Sequence, residues 1–137
     1  MKKILALSLG VLCLFSGSLF GVRNRDISKS LRYSKKCIKT CKMVEKEDCD
    51  CKRTCQSCKR ACENYVKKIE GDKINTLGKF CKGGCLSFAD DCIKKCEESR
   101  TIMKKCSKGE DRAHKKCMRA CKKCVKRMKK IKKKCSK

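Results

Sequence analysis

The stretch from Cys51 to Cys62 reads Cys-Lys-Arg-Thr-Cys-Gln-Ser-Cys-Lys-Arg-Ala-Cys, with cysteines at positions 51, 55, 58 and 62. This spacing of i, i+4, i+7 and i+11 places four sulfurs on one face of an α-helix. Tyr65 and Ile69 continue the same face, and Gly71 then supplies a stop signal. The stretch therefore predicts a helix over about 49–70 with a sulfur-lined buried face.

Three further segments repeat this helical spacing of cysteine and apolar residues. They cover about 27–47, about 85–107 and the chain through Cys117 to Cys135, and Cys81 is expected on a separate short turn. Short loops join most of these amphipathic segments, and the chain contains no proline. The pattern predicts an all-α fold, an antiparallel four-helix bundle with Cys-lined inner helix faces.

Polar residues beside these segments give candidate helix starts. Ser28 or Asp26 is expected to cap the first helix, because short oxygen-bearing side chains accept hydrogen bonds from free backbone N–H groups. Glu110 and Asp111 are expected in the first turn of the last helix, where the helix dipole favours negative charge.

The first 21 residues have the composition of an export signal. Lys2 and Lys3 precede an apolar run over 4–15, which small residues follow. We therefore predict a signal peptide over 1–21 and a single Cys-rich, Lys-rich helical domain over 22–137. The protein is expected to be exported, to the periplasm if the source is bacterial and otherwise as a secreted protein.

Aliphatic residues are too few to stabilise this chain by themselves. Beyond residue 21, Leu, Ile, Val and Phe together number 16, the same as cysteine. A strongly charged chain with so little apolar surface does not offset its folding entropy by burial alone. Disulfides or thiolate–metal bonds must supply the missing stability.

The sequence argues against an enzyme. His114 is the one histidine, and the chain has no Gly-rich phosphate loop, no GxSxG motif and no HExxH motif. Its carboxylates are scattered among lysines. A binding or structural role is expected.

One interpretation of the cysteines is structural. An exported chain with an even number of cysteines beyond its signal usually forms disulfides. Two thiols of one CxxxC step are poorly placed to pair with each other, but they are well placed to face a second helix. Facing pairs would staple helical hairpins, as in small basic toxins and antimicrobial peptides. The function expected from this interpretation is that of a toxin-like, antimicrobial or envelope protein that binds anionic membranes or polymers. No metal would then be bound.

The other interpretation is a soft-metal site. Closely spaced thiolates select Cu(I) first and Zn(II) second. The two CxxC steps, 55/58 and 121/124, lie within helices rather than in the loops typical of structural zinc modules. Cysteines that line a bundle core at successive turns could bind several Cu(I) ions, each held by two or three sulfurs.

The Cys51–Cys62 and His114–Cys124 stretches resemble the Cys-rich four-helix-bundle copper storage proteins. That resemblance implies Cu(I) bound by thiolates inside the bundle, with His114 and Met118 or Met128 as ligands at the entrance. The cysteines that it implies as ligands are Cys37, Cys41, Cys49, Cys51, Cys55, Cys58, Cys62, Cys81, Cys85, Cys92, Cys96, Cys106, Cys117, Cys121, Cys124 and Cys135.

The net charge of +26 predicts anionic partners. A field of this size attracts polyanions at low salt, so an anionic membrane or envelope polymer is one expected partner. A metal ion or copper carrier is the other. Nucleic acid is disfavoured because the aromatic residues are too few and too dispersed to form a stacking platform. The sequence leaves the oligomeric state open.

Overall fold

A computed structural model of the protein describes residues 23–47, 51–106 and 111–136, and these residues form helices without strands. The predicted signal at 1–21 and Cys49 lie outside the described residues. The described elements are α1 (Arg25–Glu45), α2 (Lys52–Gly71), α3 (Leu77–Lys82), α4 (Cys85–Lys105) and α5 (Arg112–Cys135). The all-α prediction is confirmed, and Cys81 lies in the separate short element α3.

Two predicted helix starts are wrong. Asn24 caps α1, with its side-chain oxygen accepting hydrogen bonds from the backbone N–H groups of Asp26 at 2.8 Å and Ile27 at 3.3 Å. The helix thus begins before Ser28, and both predicted caps lie inside its first turns. Asp111 is the N-cap residue of α5 rather than part of its first turn. Glu110 lies outside the described residues.

Glycines separate α3 from α4. Gly84 has a φ of +80°, a left-handed conformation that L side chains rarely adopt. A Cβ on Gly83 would lie 2.6 Å from the carbonyl oxygen of Lys79, so a side chain there would displace the backbone. The hydroxyl of Thr76 starts α3 by accepting a hydrogen bond from the backbone N–H of Lys79 at 3.2 Å.

Each long helix packs against two other long helices. Helix α1 packs on α2 and α5, α4 packs on the same two helices, and α3 packs on α4 and α5. The core changes composition along the helices. Aliphatic and aromatic side chains fill the core near the start of α1 and the ends of α2 and α5. They include Ile27, Tyr65, Ile69, Phe80 and Ile131.

Two hydroxyl groups in this part of the core, those of Ser30 and Tyr65, are hydrogen-bonded to each other. The hydroxyl of Ser30 donates to the carbonyl of Ile27 at 2.7 Å, so the Tyr65 hydroxyl, 2.6 Å from Ser30 Oγ, donates to Ser30. Burial raises the pKa of Tyr65 above its usual range and keeps this hydroxyl protonated.

Within the described ranges, no helix combines the length and apolar character needed to cross a bilayer.

An ion pair fastens the start of α1 to the end of α5. Asp26 binds Lys134 and lies 3.9 Å from the Nζ of Lys130. The hydrogen bond from Lys134 lowers the pKa of the Asp26 carboxyl, an effect that its burial partly opposes. The pair therefore stabilises the fold at neutral pH, and it is lost when Asp26 is protonated.

Replacement of this carboxylate predicts a pH-dependent change in stability. Asp26→Asn should lower the free energy of unfolding at pH 7 by about 0.5–1 kcal/mol, because the lysines are largely solvated. The wild-type advantage is complete above the pKa of an unfolded aspartate, about 3.9, and disappears as pH falls through the lowered folded pKa. Urea unfolding across a pH series measures it. The exposed Asp91→Asn variant is the control, and a difference that persists in acid would contradict the prediction.

Candidate metal centre

Ten cysteines from the four long helices form a continuous sulfur column in the core. All ten side chains are fully buried. They form three groups of four sulfurs and one of three, with the Sγ atoms of each group within 4.8 Å of one another. The sulfur column consists of Cys37, Cys41, Cys55, Cys58, Cys62, Cys92, Cys96, Cys117, Cys121 and Cys124.

The groups are continuous because they share members. Cys37 and Cys58 belong to two groups each, and Cys62 and Cys96 link one of those groups to a third. Cys41 joins the remaining group, which ends at Cys55 and Cys117. A metal ion bound at any level would therefore have sulfur ligands at the next level within a short distance.

The sulfur contacts cross from helix to helix. Cys37 Sγ lies 3.3 Å from Cys121 Sγ and 3.6 Å from Cys58 Sγ, so one sulfur of α1 touches both α5 and α2. Cys58 and Cys96 approach to 3.3 Å between α2 and α4. The CxxxC sulfurs thus face neighbouring helices, as their spacing predicts.

Two buried serines lie against the sulfur column, and the sequence analysis missed them. Ser34 Oγ is 3.6 Å from Cys124 Sγ, and Ser99 Oγ is 3.7 Å from Cys55 Sγ. Both hydroxyls are fully buried. The sequence signal that could have revealed them is their position. Ser34 precedes Cys37 by three residues on the same helix face, and Ser99 follows Cys96 by three.

Hydrogen bonds between thiols set the ionisation of the sulfur column. The hydrogen bond with Cys121, other thiol contacts and burial raise the pKa of Cys37. Hydrogen bonds from Cys121 and Cys37 lower the pKa of Cys58, and those from Cys62 and Cys92 lower that of Cys124. Hydrogen bonds within a group thus lower the pKa of some sulfurs and raise that of others, according to which thiol donates. Metal binding by a whole group must release protons.

A second kind of group lies where α2 begins, α4 ends and α5 begins. It contains Cys51, Cys106 and His114, with one ligand atom of each within 4.8 Å of the others. His114 is fully buried and Cys106 is partly exposed. The resemblance implies an entrance role for His114, and the structure brings its ring beside two sulfurs. A set of two sulfurs and one imidazole is borderline in softness, so it suits Zn(II) as well as Cu(I).

The remaining predicted cysteine ligands in the described residues lie outside these groups. Cys81 and Cys135 are joined by a disulfide that ties α3 to the last residue of α5, with their Cα atoms 5.4 Å apart. Cys85 is buried and free but belongs to none of the groups among the described residues. Met128 is fully buried in the hydrophobic core, and Met118 is half-buried against that core.

The donor atoms define the chemistry available. Within the described residues, the ten cysteines of the sulfur column and Cys85 are free thiols, and Cys81 and Cys135 form the disulfide. The sulfur column offers soft donors without carboxylates, a set that favours soft cations over Ca²⁺ or Mg²⁺. Comparison with known proteins adds no relative, since no family model, curated protein or solved structure matches this chain.

Proposed function

We propose that this protein binds soft metal ions, chiefly Cu(I), and stores or buffers them in the sulfur column. The observation that carries the proposal is the overlap of the sulfur groups. A thiolate can bridge two Cu(I) ions, so a column with shared members is suited to a chain of ions. The metal is cargo in this proposal, and the protein acts by binding rather than by catalysis.

We propose that the four long helices form an antiparallel four-helix bundle around this cargo. The contacts between α1 and α2 support this arrangement, because Ser30 contacts Tyr65 whereas Cys37, later in α1, contacts the earlier residue Cys58. The same reversal relates α1 to α5 and α2 to α4. Opposed helix directions let CxxxC steps of neighbouring helices meet at successive levels.

Cu(I) is favoured over Zn(II) by the sharing of ligands. Structural Zn(II) sites take four ligands in a closed tetrahedron. Occupation of the group that contains Cys37, Cys58, Cys62 and Cys96 would use sulfurs that two other groups also need. Cu(I) needs fewer sulfur ligands per ion, so all levels of the column can be occupied together. Zn(II) remains the second choice.

The surface charge and the expected export of the chain bear on how metal ions reach the sulfur column. The described surface is strongly cationic and repels free metal cations, so delivery by a copper carrier fits better than diffusion of a bare ion. Export of the chain, to the periplasm or beyond, rests on residues 1–21 and forms part of the proposal. In an oxidising compartment, metal loading must compete with disulfide formation.

The test is the intact mass of protein from its native compartment, with and without thiol alkylation, beside metal analysis of the same sample. We expect copper to co-purify. After copper removal in denaturant, peptides with the ten cysteines of the sulfur column should be alkylated, whereas Cys81 and Cys135 should react only after reduction. The peptide that contains Cys85 is an internal control for a buried thiol outside the column. A metal-free protein that takes no alkyl group before reduction would support the disulfide-stapled alternative.

A further inference from the structure

The surface charge of α5 is compensated by carboxylates along only part of the helix. Residues Arg112–Cys135 include thirteen lysines and arginines and no carboxylate. Towards α4, Lys129 pairs with Glu97 at 3.0 Å and Lys132 with Asp90 at 2.7 Å. Towards α1, Asp26 binds Lys134 near the end of α5, but earlier along α5 both helices contribute cations.

A groove of about 330 Å³ follows the seam between α1 and α5. Its charged lining consists of five cations, and within 23–47, 51–106 and 111–136 none of them pairs with a carboxylate. We call it the cationic groove. Its walls carry Lys36, Lys39, Lys116, Arg119 and Lys123, with Tyr33 at one end.

Tyr33 partly offsets the repulsion among these cations. Its ring centroid lies 5.7–5.9 Å from four cationic groups, those of Arg32, Lys36, Lys123 and Arg127. The ring quadrupole attracts each cation. A single neutral ring leaves the remaining repulsion in place, so an anion that enters the groove would relieve it.

We propose that the cationic groove binds a linear phosphate polyanion such as inorganic polyphosphate. Lys116 and Lys123 are about 10 Å apart along the helix axis at 1.5 Å per residue, and Lys36 and Lys39 form the opposite wall. Cations on two walls fit a narrow chain with charge along its whole length. Arg119 adds a fork that can hold two phosphate oxygens.

The groove fits other polyanionic surfaces less well. A bilayer is flat, and insertion needs protruding apolar side chains. Among the described residues, the exposed large hydrophobic side chain is Ile102, which lies in a different groove between α2 and α4. Single-stranded nucleic acid gains affinity from stacking on aromatic residues, and the ring of Tyr33 is already surrounded by cations.

The test is an anisotropy titration of fluorescent inorganic polyphosphate with the full chain at several salt concentrations. For five phosphate contacts on a flexible chain, log Kd should rise with log salt with a slope of about 3.5. A groove variant should bind at least about tenfold more weakly, with the slope lowered by about 2. That variant carries Lys116→Gln, Arg119→Gln and Lys123→Gln.

The matched control removes the same charge from the same helix outside the groove. It carries Lys122→Gln, Lys126→Gln and Lys133→Gln, all of them exposed positions. An equal loss in the two variants would overturn the proposal, because bulk charge would then explain binding. Tighter binding to phosphatidylglycerol vesicles or to single-stranded DNA of equal charge would also overturn it. Apoprotein and Cu(I)-loaded protein should bind alike, so this result is separable from the metal proposal.

Discussion

Substitution of Cys37 by serine should lower the Cu(I) capacity by roughly one or two ions, because a hydroxyl is a poor ligand for a soft cation. Cys37 belongs to two overlapping groups. Its Sγ lies 3.3 Å from Cys121, 3.6 Å from Cys58 and 3.8 Å from Cys96, on three other helices. Loss of this sulfur leaves both of these groups one ligand short near the middle of the sulfur column. Anaerobic titration against a chromophoric Cu(I) chelator, with native mass spectrometry, measures both capacity and affinity.

Cys85→Ser is the matched control for this experiment. Cys85 is also a buried free thiol, but it lies outside the four sulfur groups and outside the group with His114. The control should retain the wild-type capacity. Equal losses in the two variants, or full capacity in Cys37→Ser, would contradict a column that binds metal through shared ligands.

The sulfur column could largely be predicted from the sequence. The spacing of Cys55, Cys58 and Cys62 predicts their common helix face, and the same argument applies to α4 and α5. A helix that buries such a face must bring its sulfurs against neighbouring helices. Spacing along one helix carries no information on the level at which helices meet, so the membership of each group was not predictable.

Cys85 illustrates this limit. It continues the stripe of Cys92, two helical turns earlier. Cys92 contacts Cys62 of α2 and Cys124 of α5. In the antiparallel arrangement that we propose, the level of Cys85 then corresponds to Ile69 and Ile131, which carry no sulfur. Only the register between helices reveals that this inward cysteine belongs to no sulfur group.

The disulfide and the α1 cap were unpredictable for different reasons. The Cys81–Cys135 pair depends on how the short helix α3 docks against the end of α5, a contact across 54 residues of chain. Sixteen cysteines allow too many pairings for spacing to select this one. Asn24 was missed because it lies before the first apolar residue of the helical pattern. Its capping role depends on free backbone N–H groups of the first turn, which that pattern does not reveal.

Under the proposed function, bound metal should supply part of the stability of the core. Buried free cysteine behaves as a small hydrophobe with weak hydrogen bonding. Ten such side chains occupy the middle of the core, and bulky carbon side chains such as Tyr65 and Phe80 lie elsewhere in it. Cross-helix metal–thiolate bonds would tie all four long helices together, a constraint that the unfolded chain cannot reproduce with the same geometry.

Cu(I) loading should therefore raise the midpoint of thermal unfolding by about 20 °C or more, since each tightly bound ion adds several kcal/mol to the folded state of a chain of this size. Circular dichroism under anaerobic, reducing conditions measures the shift, and a competing Cu(I) chelator should restore the apoprotein midpoint. Ca²⁺ at the same concentration is the control, because it prefers oxygen ligands and should leave the midpoint unchanged. Cys37→Ser should show a smaller shift than Cys85→Ser. Identical midpoints for loaded protein and apoprotein would contradict metal bonds that bridge the core.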